Sequence, residues 1–249
     1  MTYCVAMRLN SGLIFMSDTR TNAGIDNVSV FRKMFSWSVP GERFITILTA
    51  GNLATTQALI SLLEERTRTS ADRDPELLSV PTMFQAARLV GETLKSVIQS
   101  QAMTGQEADS KFDATIIIGG QINGSAPRLF MVYPEGNFVE ASEETPFFQI
   151  GETKYGRPIL LRAFDKDMSF NDAAKLLCVS FDSTLKANLS VGMPLDLLTY
   201  EANDFAPRHQ MRIDADNSYF ATTSNIWRDA LQTVLENLPE FEFDPGADR

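Results

Sequence analysis

The sequence has few of the side chains that form metal sites or histidine- and cysteine-based active sites. Its 249 residues include one histidine and two cysteines. A Ser-His-Asp triad would have to be built around His209, and no G-x-S-x-G turn accompanies it. Cys4 and Cys178 lie in a predicted buried strand and a predicted buried helix, where free cysteine packs as a small hydrophobe. The sequence therefore supports neither a metal site, a disulfide nor a histidine-dependent hydrolase, and no cofactor is predicted.

Long apolar runs and clustered positive charge are also missing. No segment reaches the roughly 20 consecutive apolar residues of a membrane span, and Arg8, Asp18 and Arg20 interrupt the layout of a signal peptide. The 32 acidic residues outnumber the 22 basic ones, giving a formal net charge of −10. Nucleic-acid binding requires clustered lysine and arginine instead. We therefore expect a cytoplasmic protein that binds neither membranes nor nucleic acid.

The order of the predicted elements indicates a single α+β domain over residues 1–249. Apolar patterns predict strands at 5–9, 13–16, 28–38, 44–50, 114–120, 128–133 and 195–200. Helices are predicted at 53–66, from Pro81 to about 100, at roughly 155–164, from Ser169 onward and at 217–238, with a loop at 102–111. Strands and helices that come in blocks do not form a β-α-β alternation, so antiparallel sheets covered by helices are expected.

The second residue of the chain is a candidate nucleophile. Thr2 directly follows Met1, and an initiator methionine is normally removed when the next side chain is small. An N-terminal threonine carries a hydroxyl and an α-amine with a pKa of about 7.7–8.0, so the nucleophile and its general base lie on one residue. Most threonines at this position have no such role, and the surrounding residues must decide between the two interpretations.

Asp18 and Lys33 are the residues that could activate Thr2. If the first turn closes a hairpin, opposing residues have numbers that sum to about 21, which brings Thr2 near Arg20 and Asp18. Lys33 interrupts an apolar strand, and Asp18 could supply the counter-ion that a partly buried lysine needs. A nearby ammonium would lower the pKa of the threonine hydroxyl. Strand-end turn chemistry for Asp18 and a solvated edge for Lys33 are the alternative interpretations.

A set of short motifs occurs together with these residues: Thr2, Ser17-Asp18-Thr19-Arg20, Ala23-Gly24, Arg32-Lys33 and Thr49-Ala50-Gly51. Together they resemble the N-terminal half of a catalytic proteasome β-type subunit, and most of all the bacterial ancestral-β-subunit (Anbu) family. The resemblance implies the N-terminal-nucleophile hydrolase fold, a four-layer αββα sandwich with two antiparallel sheets between helix layers.

The same resemblance implies roles for individual residues. Thr2, Asp18 and Lys33 would be catalytic, and the backbone N–H of Gly51 would contribute to the oxyanion hole. The remaining implied residues are Arg20 and Ser190 as support, and Thr21, Thr49 and Leu53 as the substrate-binding lining beside the nucleophile.

The sequence departs from the proteasome pattern around the nucleophile. Tyr3 replaces a second threonine, and the interval from Asp18 to Lys33 is one residue shorter. Glu152 stands where a supporting serine is expected. Ser190 ends a segment whose aspartate position holds Ala187. These differences keep the nucleophile but change its support.

Three functions follow from these patterns. The first is a threonine peptidase subunit that hydrolyses amide bonds through an acyl-enzyme once Met1 is removed. The second is an amidase of the same chemistry acting on a small amide or isopeptide, and the third is a non-catalytic shell subunit, which retention of Met1 would favour. The resemblance also implies a homo-oligomer, either a ring or an open helical assembly, and the sequence indicates no ATPase partner.

Overall fold

The computed structural model describes residues 1–22, 28–68, 76–104 and 111–241. Its strands are β1 (Tyr3–Leu9), β2 (Gly12–Asp18), β3 (Arg20–Asn22), β4 (Val28–Val30), β5 (Met34–Val39), β6 (Arg43–Gly51), β7 (Ala114–Ile122), β8 (Arg128–Val132), β9 (Phe138–Glu140), β10 (Phe147–Gly151), β11 (Leu195–Glu201) and β12 (His209–Ile213). Its helices are α1 (Leu53–Arg68), α2 (Met83–Thr104), α3 (Arg157–Ala163), α4 (Phe170–Ala187) and α5 (Ser218–Glu236).

Two five-stranded sheets form the centre of the protein. Their strand orders are β10-β1-β2-β11-β12 and β5-β6-β7-β8-β9, and β3 and β4 form a separate ribbon. Every strand pair in the two sheets is antiparallel. The predicted antiparallel arrangement is therefore confirmed.

Three apolar clusters define four layers. Leu94 of α2 and Ile116 of β7 belong to a cluster that joins α1 and α2 to one sheet. Phe15 of β2 and Leu48 of β6 belong to a second cluster, which lies between the two sheets. Leu177 of α4 belongs to a third, which joins α3 and α4 to the other sheet. The layers follow the order α, β, β, α, as the predicted sandwich requires.

The alternation of β1 places Thr2 at the end of the layer between the sheets. Cys4 and Ala6 pack in the cluster between the sheets, whereas Tyr3 and Val5 pack on the helix side. Successive side chains of a strand point to opposite faces, so Thr2 belongs with Cys4 and Ala6. Thr2 also lines an open cleft at this end of the protein.

The structure corrects several predicted elements. The strand expected over 28–38 is two strands, because residues 31–33 are not in a strand, β4 pairs with β3 and β5 pairs with β6. Residues 102–104 belong to α2 rather than to the predicted loop, and residues 105–110 of that loop lie outside the described residues. The sequence analysis also missed β9, β10 and β12, which are short or largely exposed.

The helix faces were predicted with mixed success. Ser169 caps α4 as expected, and its hydroxyl accepts a hydrogen bond from the Asp172 N–H. Leu62 and Phe84, which the helical pattern places on buried faces, are 39% and 47% exposed. In α5 only Phe220 of the predicted apolar stripe is buried. Periodicity identifies an apolar stripe, but it does not say how far the body of the protein covers it.

Candidate active site

An open cleft of about 500 Å³ contains Thr2 at its edge. Its floor and walls come from the start of β1, the segment before β5, the end of β6, the start of α1 and the end of β10. The lining residues are Met1, Thr2, Thr21, Arg32, Lys33, Phe35, Thr49, Ala50, Gly51, Asn52, Leu53, Thr56, Gln57 and Gly151. Six of the nine residues predicted from the sequence for catalysis or binding thus meet in one cleft.

Asp18 and Lys33 form a buried ion pair beside the cleft. Lys33 Nζ donates to Asp18 Oδ1 at 2.7 Å, and the two side chains are 6% and 0% exposed. Lys33 also donates to the carbonyl oxygen of Arg20 at 2.6 Å. The β1–β2 register pairs Cys4 with Ser17, so the numbers of opposing residues sum to 21, as predicted. Lys33 is therefore a buried partner of Asp18 and not a solvated edge residue.

The backbone around Asp18 fixes its carboxylate. The Tyr3 N–H donates to Oδ1 at 2.9 Å, and the Gly192 N–H donates to Oδ2 at 3.3 Å. Burial raises the pKa of Asp18, while the Lys33 ammonium and these two N–H donors oppose that rise. Because Tyr3 adjoins Thr2, the Asp18–Lys33 pair is tied directly to the start of β1.

The amino terminus of the chain lies in the electrostatic field of the same pair. The amine of Met1 has its pKa lowered, first by burial and then by the Lys33 ammonium. Asp18 and Glu152 act in the opposite direction. A lowered pKa increases the fraction of neutral amine near pH 7, and the neutral amine is the form that can accept a proton.

Gly51 ends β6 at the cleft in a conformation that requires glycine. Its φ is +118°, and a Cβ at this position would lie 2.4 Å from the carbonyl oxygen of Asp113. Thr49 lies two residues earlier in β6 and is 4% exposed. Its N–H donates to the Lys33 carbonyl oxygen at 2.9 Å. Leu53 opens α1 directly after this strand. The end of β6 and the start of α1 thus bring the Gly51 backbone and the side chains of Thr49 and Leu53 to one wall of the cleft.

Arg20 and Ser190 lie outside the cleft lining. Arg20 Nη1 donates to the carbonyl oxygen of Leu189 at 3.0 Å, so it braces the loop after α4. The N–H of Ser190 donates to Asn188 Oδ1 at 2.9 Å within that loop. The loop reaches the site through another residue, Gly192, whose N–H contacts Asp18. The sequence analysis did not single out Gly192, and a local sequence pattern carries no signal for so distant a contact.

Glu152 and Asn188 form a second polar pair at the site. Asn188 Nδ2 donates to Glu152 Oε2 at 3.0 Å, and Glu152 is 7% exposed. The Glu152 N–H donates to the carbonyl oxygen of Thr2 at 2.6 Å. The position that departs from the serine of the proteasome pattern is therefore in direct backbone contact with the candidate nucleophile.

Other nucleophiles close to the cleft are not activated. Cys4 is fully buried, and burial raises the pKa of its thiol well above the ordinary value. Tyr3 is also buried, which raises its pKa to about 12, and its hydroxyl bonds to Ser180 and Gln149.

Within the described ranges, no group of three or more histidine, cysteine and acidic side chains could hold a metal ion. No described helix is long and apolar enough to cross a membrane.

Comparisons with known proteins identify the family. The family model for the proteasome subunit matches residues 2–197. No curated protein shows a significant match to the chain. Among solved structures, a Gly-1 mutant of Anbu from Hyphomicrobium sp. strain MC1 is 48% identical, with a TM-score of 0.91 over 98% of this chain and 100% of that one.

Two further Anbu structures agree over nearly the same length. Anbu (ancestral beta-subunit) from Yersinia bercovieri is 44% identical, with a TM-score of 0.90 over 97% of this chain and 100% of that one. The helical assembly of the Anbu complex from Pseudomonas aeruginosa is 44% identical, with a TM-score of 0.90 and full coverage of both chains. The chain therefore belongs to the proteasome subunit family and, within it, to the ancestral β-subunit (Anbu) proteins.

Proposed function

We propose that the protein is a threonine-type peptidase subunit that uses Thr2 as an N-terminal nucleophile after removal of Met1. The observation that carries this proposal is the buried Asp18–Lys33 pair, linked by the Tyr3 N–H to the residue after Thr2. An ammonium beside the threonine lowers the pKa of the hydroxyl, and Asp18 keeps the ammonium in place. Family membership supports an N-terminal-nucleophile hydrolase of the proteasome type.

The proposed reaction begins when Thr2 Oγ attacks an amide carbonyl in the cleft. The hydroxyl proton passes to the α-amine as the C–O bond forms, and the Gly51 N–H stabilises the charge on the carbonyl oxygen. The C–N bond then breaks, and the leaving amine takes the proton from the α-ammonium. Water attacks the resulting ester with the α-amine as base, which releases the acid and restores the Thr2 hydroxyl.

The cleft supports a peptide as substrate. It is open, and it combines apolar surface from Phe35, Ala50 and Leu53 with the hydroxyls of Thr21 and Thr49. An open cleft of this kind accepts a side chain of an extended substrate and leaves space for the chain on either side. A small-amide hydrolase would use the same Thr2 chemistry, and comparing peptide with small-amide turnover separates the two.

We also propose that copies of this chain assemble with one another. The 44% identical Pseudomonas aeruginosa protein is described as a helical assembly. In this chain, α5 presents Leu231, Val234 and Leu235 with 46–68% of each side chain exposed. Such an apolar helix face is typical of an interface, and a second copy is the partner that the relative's assembly supports.

Replacement of Thr2 by alanine tests the proposed chemistry. We expect Thr2→Ala to abolish hydrolysis of fluorogenic peptides while leaving the thermal unfolding transition and the assembled size unchanged, because the change removes only a hydroxyl and a methyl group at the open cleft. Thr145→Ala is the matched control, since it removes an exposed threonine hydroxyl between β9 and β10 that does not line the cleft. Wild-type turnover by Thr2→Ala would rule out the mechanism.

A further inference from the structure

Glu152 is placed opposite Thr2 by the last residues of β10. The β1–β10 register pairs Tyr3 with Gly151, so the next pair outward is Thr2 with Glu152. Gly151 has a φ of +83°, and a Cβ there would lie 1.9 Å from the carbonyl oxygen of Thr2. This close approach, which only glycine permits, brings the Glu152 backbone within hydrogen-bond distance of Thr2.

The carboxylate of Glu152 is buried and oriented, but it has no side-chain cation. Oε2 accepts from Asn188 Nδ2 at 3.0 Å, and Oε1 accepts from the Lys154 N–H at 3.3 Å. No ion pair joins Glu152 to a lysine or arginine of the described residues. A buried carboxylate is costly unless an opposite charge is near. Glu152 acts electrostatically on the amine of Met1, and removal of Met1 would move the amino terminus to Thr2.

Several charged groups from different elements surround that amino terminus. Asp18 lies at the end of β2, Lys33 in the segment before β5 and Glu152 after β10, and all three act electrostatically on the terminal amine. Arg32 lines the same cleft. Lys33 is already bonded to Asp18 and to the Arg20 carbonyl oxygen. Glu152 is therefore the carboxylate of this group that has no cation of its own.

We propose that Glu152, held by Asn188, is a positioning residue that binds the α-ammonium of Thr2 after Met1 is removed. This inference rests on the proposed function, in which the α-amine of Thr2 is the general base, and it assigns the Glu152 carboxylate as the group that binds that amine. During attack, the amine takes the hydroxyl proton and becomes positively charged. A fixed carboxylate stabilises that charge and orients the amine toward Oγ, as the aspartate of a serine-protease triad does for its imidazolium.

The inference predicts that Glu152→Gln lowers both the titration midpoint of the Thr2 amine and the reaction rate. Without the negative charge, the amine of Thr2 loses a proton more readily, so the midpoint of its titration falls by about one pH unit. The rate above that midpoint also falls, because the ammonium formed during attack is no longer stabilised. Asn188→Ala keeps the charge but releases the carboxylate, and should change both quantities in the same direction by less.

The amine titration can be measured without any turnover. Full-length protein beginning at Thr2 is treated with cyanate at a series of pH values, and carbamylation of the N-terminal peptide is followed by mass spectrometry. Only the neutral amine reacts, so the rate against pH gives the titration midpoint. Glu92→Gln is the control, since it removes one exposed carboxylate from α2 and should leave the midpoint unchanged.

The outcomes separate this inference from the proposed hydrolysis. A lower midpoint in Glu152→Gln, with an unfolding temperature like that of Glu92→Gln, supports the inference whether or not peptides are cleaved. An unchanged midpoint in both Glu152→Gln and Asn188→Ala overturns it and leaves the pair as a structural link between β10 and the loop after α4. Loss of turnover in Thr2→Ala tests the hydrolysis separately.

Discussion

At the scale of single residues, the site depends on a buried charge pair. Asp18 and Lys33 are 0% and 6% exposed, so neither charge is well solvated. A buried pair contributes little net stability, but removal of one partner leaves an uncompensated charge, which typically costs about 3–5 kcal/mol. A large contribution to folding is therefore not the reason we give for the pair, and its proposed role is the effect on Thr2.

Variants of the Asp18–Lys33 pair separate its effect on reaction at Thr2 from its effect on the free energy of unfolding. We expect Lys33→Ala to abolish reaction at Thr2 and to lower the free energy of unfolding by about 3–5 kcal/mol. The double variant Asp18→Asn with Lys33→Met removes both charges, so it should recover much of that stability while remaining unreactive. Urea denaturation and the rate of reaction with a peptide substrate measure the two quantities. Reactivity in the stable double variant would show that the pair is only structural.

The protonation of the N-terminal amine gives a pH dependence whose direction is fixed. Burial and Lys33 lower the pKa of the Met1 amine, and we expect the same direction for the Thr2 amine that removal of Met1 would leave in these surroundings. The amine must be neutral to act as base, so activity should be lost as pH falls through a midpoint below the ordinary value of about 8. A profile of kcat/KM against pH measures this midpoint. If activity is instead lost around a midpoint at or above pH 8, the expected lowering of the pKa of the amine is wrong.

At the scale of the elements, the ends of β1, β6 and β10 build the site. β1 begins and β6 and β10 end at the same cleft, and β6 and β10 both end in a glycine with positive φ, Gly51 and Gly151. These glycines permit approaches of neighbouring backbone that a Cβ would block. The precision of the site therefore comes from backbone geometry at strand ends rather than from a long catalytic loop.

Gly51→Ala tests this dependence on backbone geometry. The new Cβ would lie 2.4 Å from the Asp113 carbonyl oxygen, so we expect a loss of about 1–3 kcal/mol of stability and strongly reduced reaction at Thr2. Gly41→Ala is the matched control, because Gly41 also has a positive φ but nothing within 4 Å of the added methyl group. Thermal unfolding and substrate turnover are compared for both. Equal behaviour of the two variants would contradict the role given to the β6 end.

The sequence predicted the local parts of this arrangement better than the distant ones. The turn after Leu9 fixes the β1–β2 register, so the position of Asp18 near the start of β1 follows from counting along the hairpin. The contacts of Gly192 with Asp18 and of Asn188 with Glu152 join segments far apart in the chain. No periodicity or spacing encodes such contacts. They depend on how α4 and its following loop pack against the sheet.

At the scale of the whole molecule, α5 is a helix that the protein body leaves largely exposed. Its apolar stripe begins at the buried Phe220 and continues through the half-buried Trp227 to Leu231, Val234 and Leu238. α5 contacts α4, and Phe220 packs in the cluster that contains the buried side chains of α4, while Leu231, Val234 and Leu238 remain exposed. A second copy of the chain would cover the exposed part of this stripe.

Leu235→Glu tests this proposed contact between copies. Leu235 is 68% exposed, so a charge there should not disturb the fold, but it would oppose burial in an interface. We expect sedimentation velocity to show smaller species for this variant. Gln232→Glu adds the same charge at an exposed position of the same helix and serves as control. Unchanged assembly in Leu235→Glu would show that copies associate through another surface.

The most direct test of the central claim is the intact mass of the purified protein before and after treatment with a threonine-directed electrophile. We predict a chain that lacks Met1 and gains one adduct on Thr2, with no adduct on the Thr2→Ala variant. Fragmentation of the modified protein would place the adduct on the N-terminal residue. A chain that retains Met1 and gains no adduct under conditions where it is folded would contradict the assignment of Thr2 as the nucleophile.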